Sequence, residues 1–428
     1  MKAKVIGGGL AGCEASYQLL KRGISVTLYE MRPAVFTGAH KTSGLAELVC
    51  SNSLKSIDPG TPQGLLKSEL KSLDSLILKA AIIAKVPSGT ALSVDRESFS
   101  HEVEKVLKSF PNFKLIREEV TEIDNYSIVA TGPLSSSAMC DAIKGLTGRE
   151  FLNFYDAISP IVEADSVDMN MAFFASRYGK GDADYLNCGM TKEDYIKFRN
   201  ALLSGEKVVL REFESKDVFE GCIPIEELAR RGEDTMRYGP LRPVGLVDED
   251  GKRYYAVVQL RKEDLLSEMY NMVGFQTNMK YKEQERIFRL IPALSKAEFV
   301  RLGSMHKNIY IESPRVLEAS LRLKKNHTVF FAGQITGVEG YMESAAMGLL
   351  AGINMARLLH NMDPLVFSKK TMIGALSNYV ANEPSTFRPM NANIGLLEGL
   401  ESINKNIRKE QAFKNSTNEI KKILSTLV

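Results

Sequence analysis

Apolar positions along this chain follow two periods, and the first switch between them comes at once. Lys4-Val5-Ile6 is a short apolar run that ends in Gly7-Gly8-Gly9-Leu10-Ala11-Gly12. Beyond it, Leu10, Ala11, Ala15, Leu19 and Leu20 recur at helical spacing out to about Arg22. Gly23 falls where a helix C-cap glycine belongs, and Ile24 to Tyr29 is a second apolar run closed by Glu30. The pattern predicts strand, glycine turn, helix, strand. Helical spacing is also present over Leu65–Ala84 and Glu97–Phe110, and short strands are expected at Phe113–Ile116 and Tyr126–Val129. Residues 33–64, rich in Gly, Ser, Thr and Pro, predict a long irregular segment of the kind that carries function.

From about 146 to 305 strands and polar stretches mix, which predicts an inserted α+β domain. Thr328-Val329-Phe330-Phe331-Ala332-Gly333 restores the opening pattern, Tyr341–Leu359 predicts a long helix, and 401–428 a lysine-rich amphipathic one. The expected organisation is 1–145, a first part of a nucleotide-binding domain, 146–305, the insertion, and 306–428, the second part with C-terminal helices.

Composition narrows the class. A chain of 428 residues, 44% hydrophobic and 25% charged, is ordinary globular protein with a sizeable core. No apolar run approaches the ~20 residues that span a bilayer. Lys2 and Lys4 run directly into glycines where a signal peptide would continue apolar, so a soluble, cytoplasmic protein is expected. The five cysteines, Cys13, Cys50, Cys140, Cys188 and Cys222, form no C-x-x-C pair, which argues against zinc and for free thiols. With a net charge of +3, any surface for nucleic acid has to be a local patch.

The glycine run carries the first chemistry. Gly7-x-Gly9-x-x-Gly12 stands after a strand and before a helix, with Glu30 closing the next strand. Gly7 permits the tight turn, Gly9 lets backbone approach a pyrophosphate, and Gly12 lets helix and strand pack closely. The amides of Gly8, Leu10 and Ala11 then face the phosphates at the helix N-terminus, and Glu30 takes the ribose hydroxyls. Two later segments select FAD. Ala130-Thr131-Gly132 and Ala332-Gly333-Gln334-Ile335-Thr336-Gly337-Val338-Glu339-Gly340-Tyr341 resemble segments of the two-dinucleotide flavoproteins. Gly333, Gln334, Gly340 and Tyr341 are therefore expected at the flavin, Tyr341 as a stacking surface for flavin or pterin or, equally, as a core residue. The fold expected is α/β, a Rossmann-like FAD-binding domain with an inserted α+β domain.

Longer motifs make the resemblance specific. The run from Glu220-Gly221-Cys222-Ile223-Pro224-Ile225-Glu226-Glu227 to Thr235, with Tyr238-Gly239-Pro240-Leu241-Arg242-Pro243-Val244-Gly245-Leu246, is similar to the TrmFO (Gid) family. Cys50-Ser51-Asn52-Ser53, Val94-Asp95-Arg96 and Pro389-Met390-Asn391-Ala392-Asn393 resemble it too, in the family's order. The resemblance implies methylation of C5 of the T-loop uridine of tRNA. Its carbon comes from 5,10-methylenetetrahydrofolate and its reducing equivalents from FAD reduced by NADPH or NADH, with no obligate protein partner. It also implies that the Cys222 thiolate adds to uracil C6, which makes C5 nucleophilic, with Arg230 and Arg231 as candidates for lowering its pKa. Cys50 matches a second functional cysteine, either the base that removes the C5 proton or a shield for the flavin adduct. The alternatives are a ribosomal RNA uridine, a wobble-uridine-modifying flavoprotein, an RNA-binding scaffold and a small-molecule flavin oxidoreductase. Arg230-Arg231, Arg322 with Lys324-Lys325, Lys369-Lys370 and Lys421-Lys422 are candidates for phosphate contact, although such pairs are more often solvated surface.

Overall fold

The computed structural model describes residues 1–179, 182–208, 223–382, 387–404 and 407–427. Five parallel strands form its first sheet, in the order Val329–Phe331, Ser127–Val129, Lys2–Ile6, Ser25–Tyr29, Phe113–Ile116. The chain starts in the middle strand, winds outward to one edge and returns on the other side, the Rossmann order, with the ligand crevice where the winding reverses. The α/β fold expected from the pattern is the fold observed.

The Leu10–Leu20 helix is buried at every position, because the sheet covers one side and the Tyr341–Leu359 helix the other. Small residues make that sandwich possible: a Cβ on Gly348 would stand 2.2 Å from the Ala11 carbonyl oxygen, and one on Gly352 2.7 Å from that of Ala15. The first helix ends at Leu20, slightly before the Arg22 expected, and the turn closes with the Gly23 N–H donating to the Leu20 carbonyl at 3.0 Å.

Leu65–Ala84 was expected as one helix and is two, Pro62–Ser72 and Leu76–Ile83. The break has a tertiary cause. Asp74 takes φ +63°, Ser75 caps the second helix, and the buried Glu14 accepts from the Ser75 hydroxyl (2.7 Å) and the Ile77 N–H (3.0 Å). A buried carboxylate at a helix N-terminus meets free N–H groups and the favourable end of the dipole. Glu69 does the same at the C-terminal end of the chain. It accepts from the N–H groups of Met372 and Ile373 and from the Ser416 hydroxyl, tying the Met372–Ala381 and Arg408–Leu424 helices to the core.

Residues 161–301 build a second, six-stranded sheet, in the order Ala172–Phe174, Leu186–Met190, Ala256–Lys262, Met269–Met272, Ile161–Glu163, Phe299–Arg301, all antiparallel. A two-stranded ribbon, Leu152–Ile158 against Ser304–Tyr310, leads into and out of it. One face of this sheet packs on helices through Tyr195, Phe198, Phe275 and Phe288. The other carries Asn187, Gln259, Arg261 and Asn271, which are partners across neighbouring strands. That polar face turns toward residues 51–52 of the first domain. Among the described residues no helix is long and apolar enough to cross a membrane.

Candidate active site

A cleft partly open to solvent runs along the C-terminal ends of the first sheet's strands. Gly7, Gly8, Gly9, Leu10, Ala11, Glu30, Gly333, Gln334 and Tyr341 all line it. The local geometry explains why glycine stands where it does. At Gly7, φ is +103° and a Cβ would lie 2.5 Å from the Ala130 carbonyl oxygen. At Gly9 a Cβ would meet nothing within 4 Å, so the backbone there faces open space. Gly9 caps the Leu10–Leu20 helix with no side-chain hydrogen bond, which leaves the helix's first N–H groups free for an anion. Gly12 lies behind the turn rather than in the cleft, where its Cβ would come within 1.9 Å of the Gly7 carbonyl oxygen.

Glu30 sits at the edge of this cradle. Its Oε2 accepts from the Gly8 N–H at 2.9 Å, and its Oε1 from the N–H and Nε of Arg32 at 3.0 and 2.8 Å. Burial works to raise the carboxyl's pKa, but the hydrogen bond and charge of Arg32 outweigh it, and Glu30 stays below its ordinary value. Oε2 holds one donor and keeps a lone pair for a ribose hydroxyl. An uncapped helix, an open glycine and an anchored carboxylate fit the pyrophosphate and ribose of a dinucleotide. Arg32, itself buried, bonds onward to Glu47 at 2.6 Å; periodicity gives no sign of this network, since it joins three separate loop positions.

His40 also lines the cleft, bonded through Nδ1 to the Thr37 hydroxyl at 2.6 Å. Burial, then the Arg32 charge, pushes its pKa down to about 4, with His306 close by. The folded value lies below the unfolded one of ~6.5, so the unfolded chain binds the extra proton between these limits. His40's share of stability is therefore complete above pH ~6.5 and lost as pH falls toward 4. Thermal melts from pH 7.5 to 5 should show a steeper fall for wild type than for His40→Asn; equal slopes would refute this.

Beyond the far end of the cleft lies Cys50. Its N–H donates to the Tyr341 hydroxyl oxygen at 2.9 Å, so two expected site residues from opposite ends of the sequence meet. Tyr341 begins the long helix after Gly340, whose φ is +122°. Gln334 folds back onto the carboxylate of Glu339. Three arginines hold the Cys50 segment. Arg96 donates to the carbonyls of Leu48 and Cys50, the latter at 3.1 Å, and Arg301 to that of Val49 at 2.8 Å. Arg261 reaches Ser51 Oγ at 2.8 Å and Asn52 Oδ1 at 3.1 Å. Arg261 and Arg301 come from the second sheet, and Glu263, the residue just past the Ala256–Lys262 strand, pairs with Arg96 at 2.8 Å. Burial, and then the Asp156 charge, raises the Cys50 thiol, with Arg96 and Arg301 opposing.

Cys222 lies outside the described residues, as do Glu220 and Gly221; the motif resumes with the Ile225–Arg231 helix, seated in the second domain's core. Of the basic pairs, Arg230 is bonded to Glu227, Arg322 to Glu318 and Lys422 to Glu419, which are surface pairs within local segments.

The family model for glucose inhibited division protein A matches residues 2–363. A methylenetetrahydrofolate–tRNA-(uracil-5-)-methyltransferase TrmFO of Natranaerobius thermophilus is 53% identical over 416 residues, 96% of each chain. Enzymes of the same name from Bacillus licheniformis, at 51% over 99% of each chain, and Aquifex aeolicus, at 53% over 98% of this chain and 96% of that one, are similar. The solved structure of Aquifex aeolicus GidA in its form II crystal has a TM-score of 0.71 at 16% identity, covering 98% of this chain and 73% of that one, which speaks for the fold alone. With the fold, the glycine cradle and this full-length identity in hand, the chain belongs to the glucose inhibited division protein A family, within its TrmFO branch.

Proposed function

We propose that this chain is an FAD-dependent methyltransferase that converts a T-loop uridine of tRNA to 5-methyluridine with 5,10-methylenetetrahydrofolate as carbon donor. The observation that carries this reading is 53% identity to a TrmFO enzyme across 96% of both chains. When bound, FAD supplies the relay of the one-carbon unit and the reducing equivalents, refreshed by NADPH or NADH.

The chain's own residues do the rest. The N–H groups at Gly9 to Ala11 take the pyrophosphate, and Glu30 Oε2 a ribose hydroxyl. Tyr341 and Cys50 close the far side of the cleft, where burial excludes water from the reacting centre. The Cys222 thiolate would add to uracil C6 and make C5 nucleophilic toward the one-carbon unit; loss of the C5 proton then releases that carbon from its carrier as an exocyclic methylene, and a hydride equivalent, which reduced FAD would supply, completes the methyl group as the thiolate leaves. For Cys50, the raised thiol pKa and the bond to Tyr341 suit a shielding role; to act as the base it must first give up its own proton.

The test is 5-methyluridine formation on unmodified tRNA with methylenetetrahydrofolate and NAD(P)H, read by nucleoside mass spectrometry. Cys222→Ala is expected to lower the rate by roughly 10³-fold or more with flavin retained. A Cys222→Ala enzyme within ten-fold of wild type would remove the nucleophile assignment.

A further inference from the structure

The segment from Tyr238 to Leu246 is one of the motifs that the chemistry above leaves unused. In the structure it packs against residues 177–178, and the two build a corner with unusual features. Tyr178 has φ +59°, a left-handed conformation that costs a tyrosine energy unless its surroundings impose it. Its N–H donates to the Gly245 carbonyl at 2.9 Å, and its ring lies directly over Gly245, where a Cβ would come within 2.9 Å of the ring. Even so, Tyr178 is 57% exposed. The fold thus strains a residue to hold an aromatic ring out in solvent.

Two guanidinium groups belong to this corner, one bonded to the ring's hydroxyl and one on the residue before it. Arg242 donates to the Tyr178 hydroxyl at 3.3 Å. Arg177 donates to the Val244 carbonyl at 3.0 Å and to Gln259 Oε1 at 3.1 Å. Among the described residues neither arginine forms an ion pair, in contrast to Arg230, Arg322 and Lys422. Burial and the neighbouring Arg242 both lower the pKa of Arg177, as expected of two like charges without a counter-ion.

The corner is also in the right place. Gln259 is itself held by Asn187 at 3.0 Å. It stands two residues from Arg261 on one strand, hence on the same sheet face about 7 Å away. Arg261 is the residue that grips Ser51 beside Cys50.

We infer that Arg177, Tyr178 and Arg242 form an RNA subsite, which takes a backbone phosphate at the two guanidinium groups and stacks a base flanking the target uridine on the Tyr178 ring. This rests on the reading of the chain as an RNA-modifying enzyme. Unpaired arginines beside an exposed aromatic ring are the components of single-strand recognition. The carboxylate tail of a folate could also meet arginines. A small ligand, however, calls for an enclosing pocket, and this corner is open.

The experiment measures binding of a full-length unmodified tRNA transcript to the flavin-loaded protein by fluorescence anisotropy over a salt series, with KM for tRNA and for methylenetetrahydrofolate alongside. Arg242→Ala should weaken tRNA binding roughly ten-fold and reduce the salt slope by about one. Tyr178→Ala should weaken it roughly ten-fold with the slope intact, and Tyr178→Phe should restore it. Gly245→Ala removes no charge and no ring, and should weaken binding by displacing Tyr178. Wild-type affinity and slope in Arg242→Ala and Tyr178→Ala, or a rise confined to the folate KM, would overturn the subsite while leaving tRNA methylation standing. A wild-type protein that neither binds nor methylates tRNA would overturn the functional reading beneath it.

Discussion

Gly12→Ala is expected to yield a protein that purifies colourless and melts well below wild type. The reason is backbone against backbone. The added Cβ would fall 1.9 Å from the Gly7 carbonyl oxygen and 3.1 Å from its carbon, and no side chain can rotate away to relieve it. Either the Leu10–Leu20 helix slides along the sheet or the turn opens. The helix cannot slide freely, because the Tyr341–Leu359 helix is packed on its other side at Ala11 and Ala15. The turn opens instead, and with it goes the alignment of Gly9 and the helix N–H groups. Overpacking of this kind costs about 3 kcal/mol, and FAD affinity should fall by at least ten-fold as the phosphate cradle is lost. Flavin absorbance per protein and a thermal melt check this. A yellow protein with the wild-type melting point would show that the close approach is not required. Ser16→Ala, in the same helix, where the buried hydroxyl has no hydrogen-bond partner among the described residues, is the control for general damage.

Arg96→Ala should produce the second large effect, and a different one. Arg96 links both domains to the Cys50 segment through two carbonyls and Glu263. The Glu263 side chain is 2% exposed, and its Oε1 has no hydrogen-bond partner among the described residues. Removing the guanidinium strands a buried carboxylate, a change that costs about 3–5 kcal/mol. It also loosens the irregular segment that carries Cys50. The two consequences separate in a double variant. Arg96→Ala with Glu263→Gln removes the stranded charge and should recover most of the stability, whereas 5-methyluridine formation stays low because the Cys50 segment is still unpinned. Recovery of both together would mean that Arg96 acts on stability alone. Arg96→Lys should fall between, since an ammonium cannot span three acceptors in one plane.

These two residues also show how far the chain could be read without its structure. Gly12 was legible, because strand, turn and helix are contiguous and each glycine answers to a local need. The long Tyr341–Leu359 helix was legible for the same reason. Arg96 was visible only as part of a motif. Its neighbour Asp95 caps a helix, accepting from the Ser98 N–H at 2.8 Å, a local role that spacing can suggest. The grip of Arg96 on residues 48–50 depends on a fold that brings distant segments together. Arg261, Glu263 and Arg301 were missed entirely. A signal existed, since Gln259 and Arg261 alternate with the apolar Val258 and Leu260 along the Ala256–Lys262 strand. That alternation states that one sheet face is not core, without saying that the face meets Cys50. The break at Asp74 was hard to read because Ser75, the local N-cap, is itself fixed by the Glu14 carboxylate some sixty residues away.

The measurement that bears most directly on the central claim follows the carbon. Purified protein is incubated with an unmodified tRNA transcript, NADPH and methylenetetrahydrofolate labelled with ¹³C in its methylene group, and the digested nucleosides are weighed. The account predicts 5-methyluridine carrying the label at the T-loop uridine, with no need for another methyl donor. Five-methyluridine without the label, or none at all from a flavin-loaded protein that binds the transcript, would contradict it.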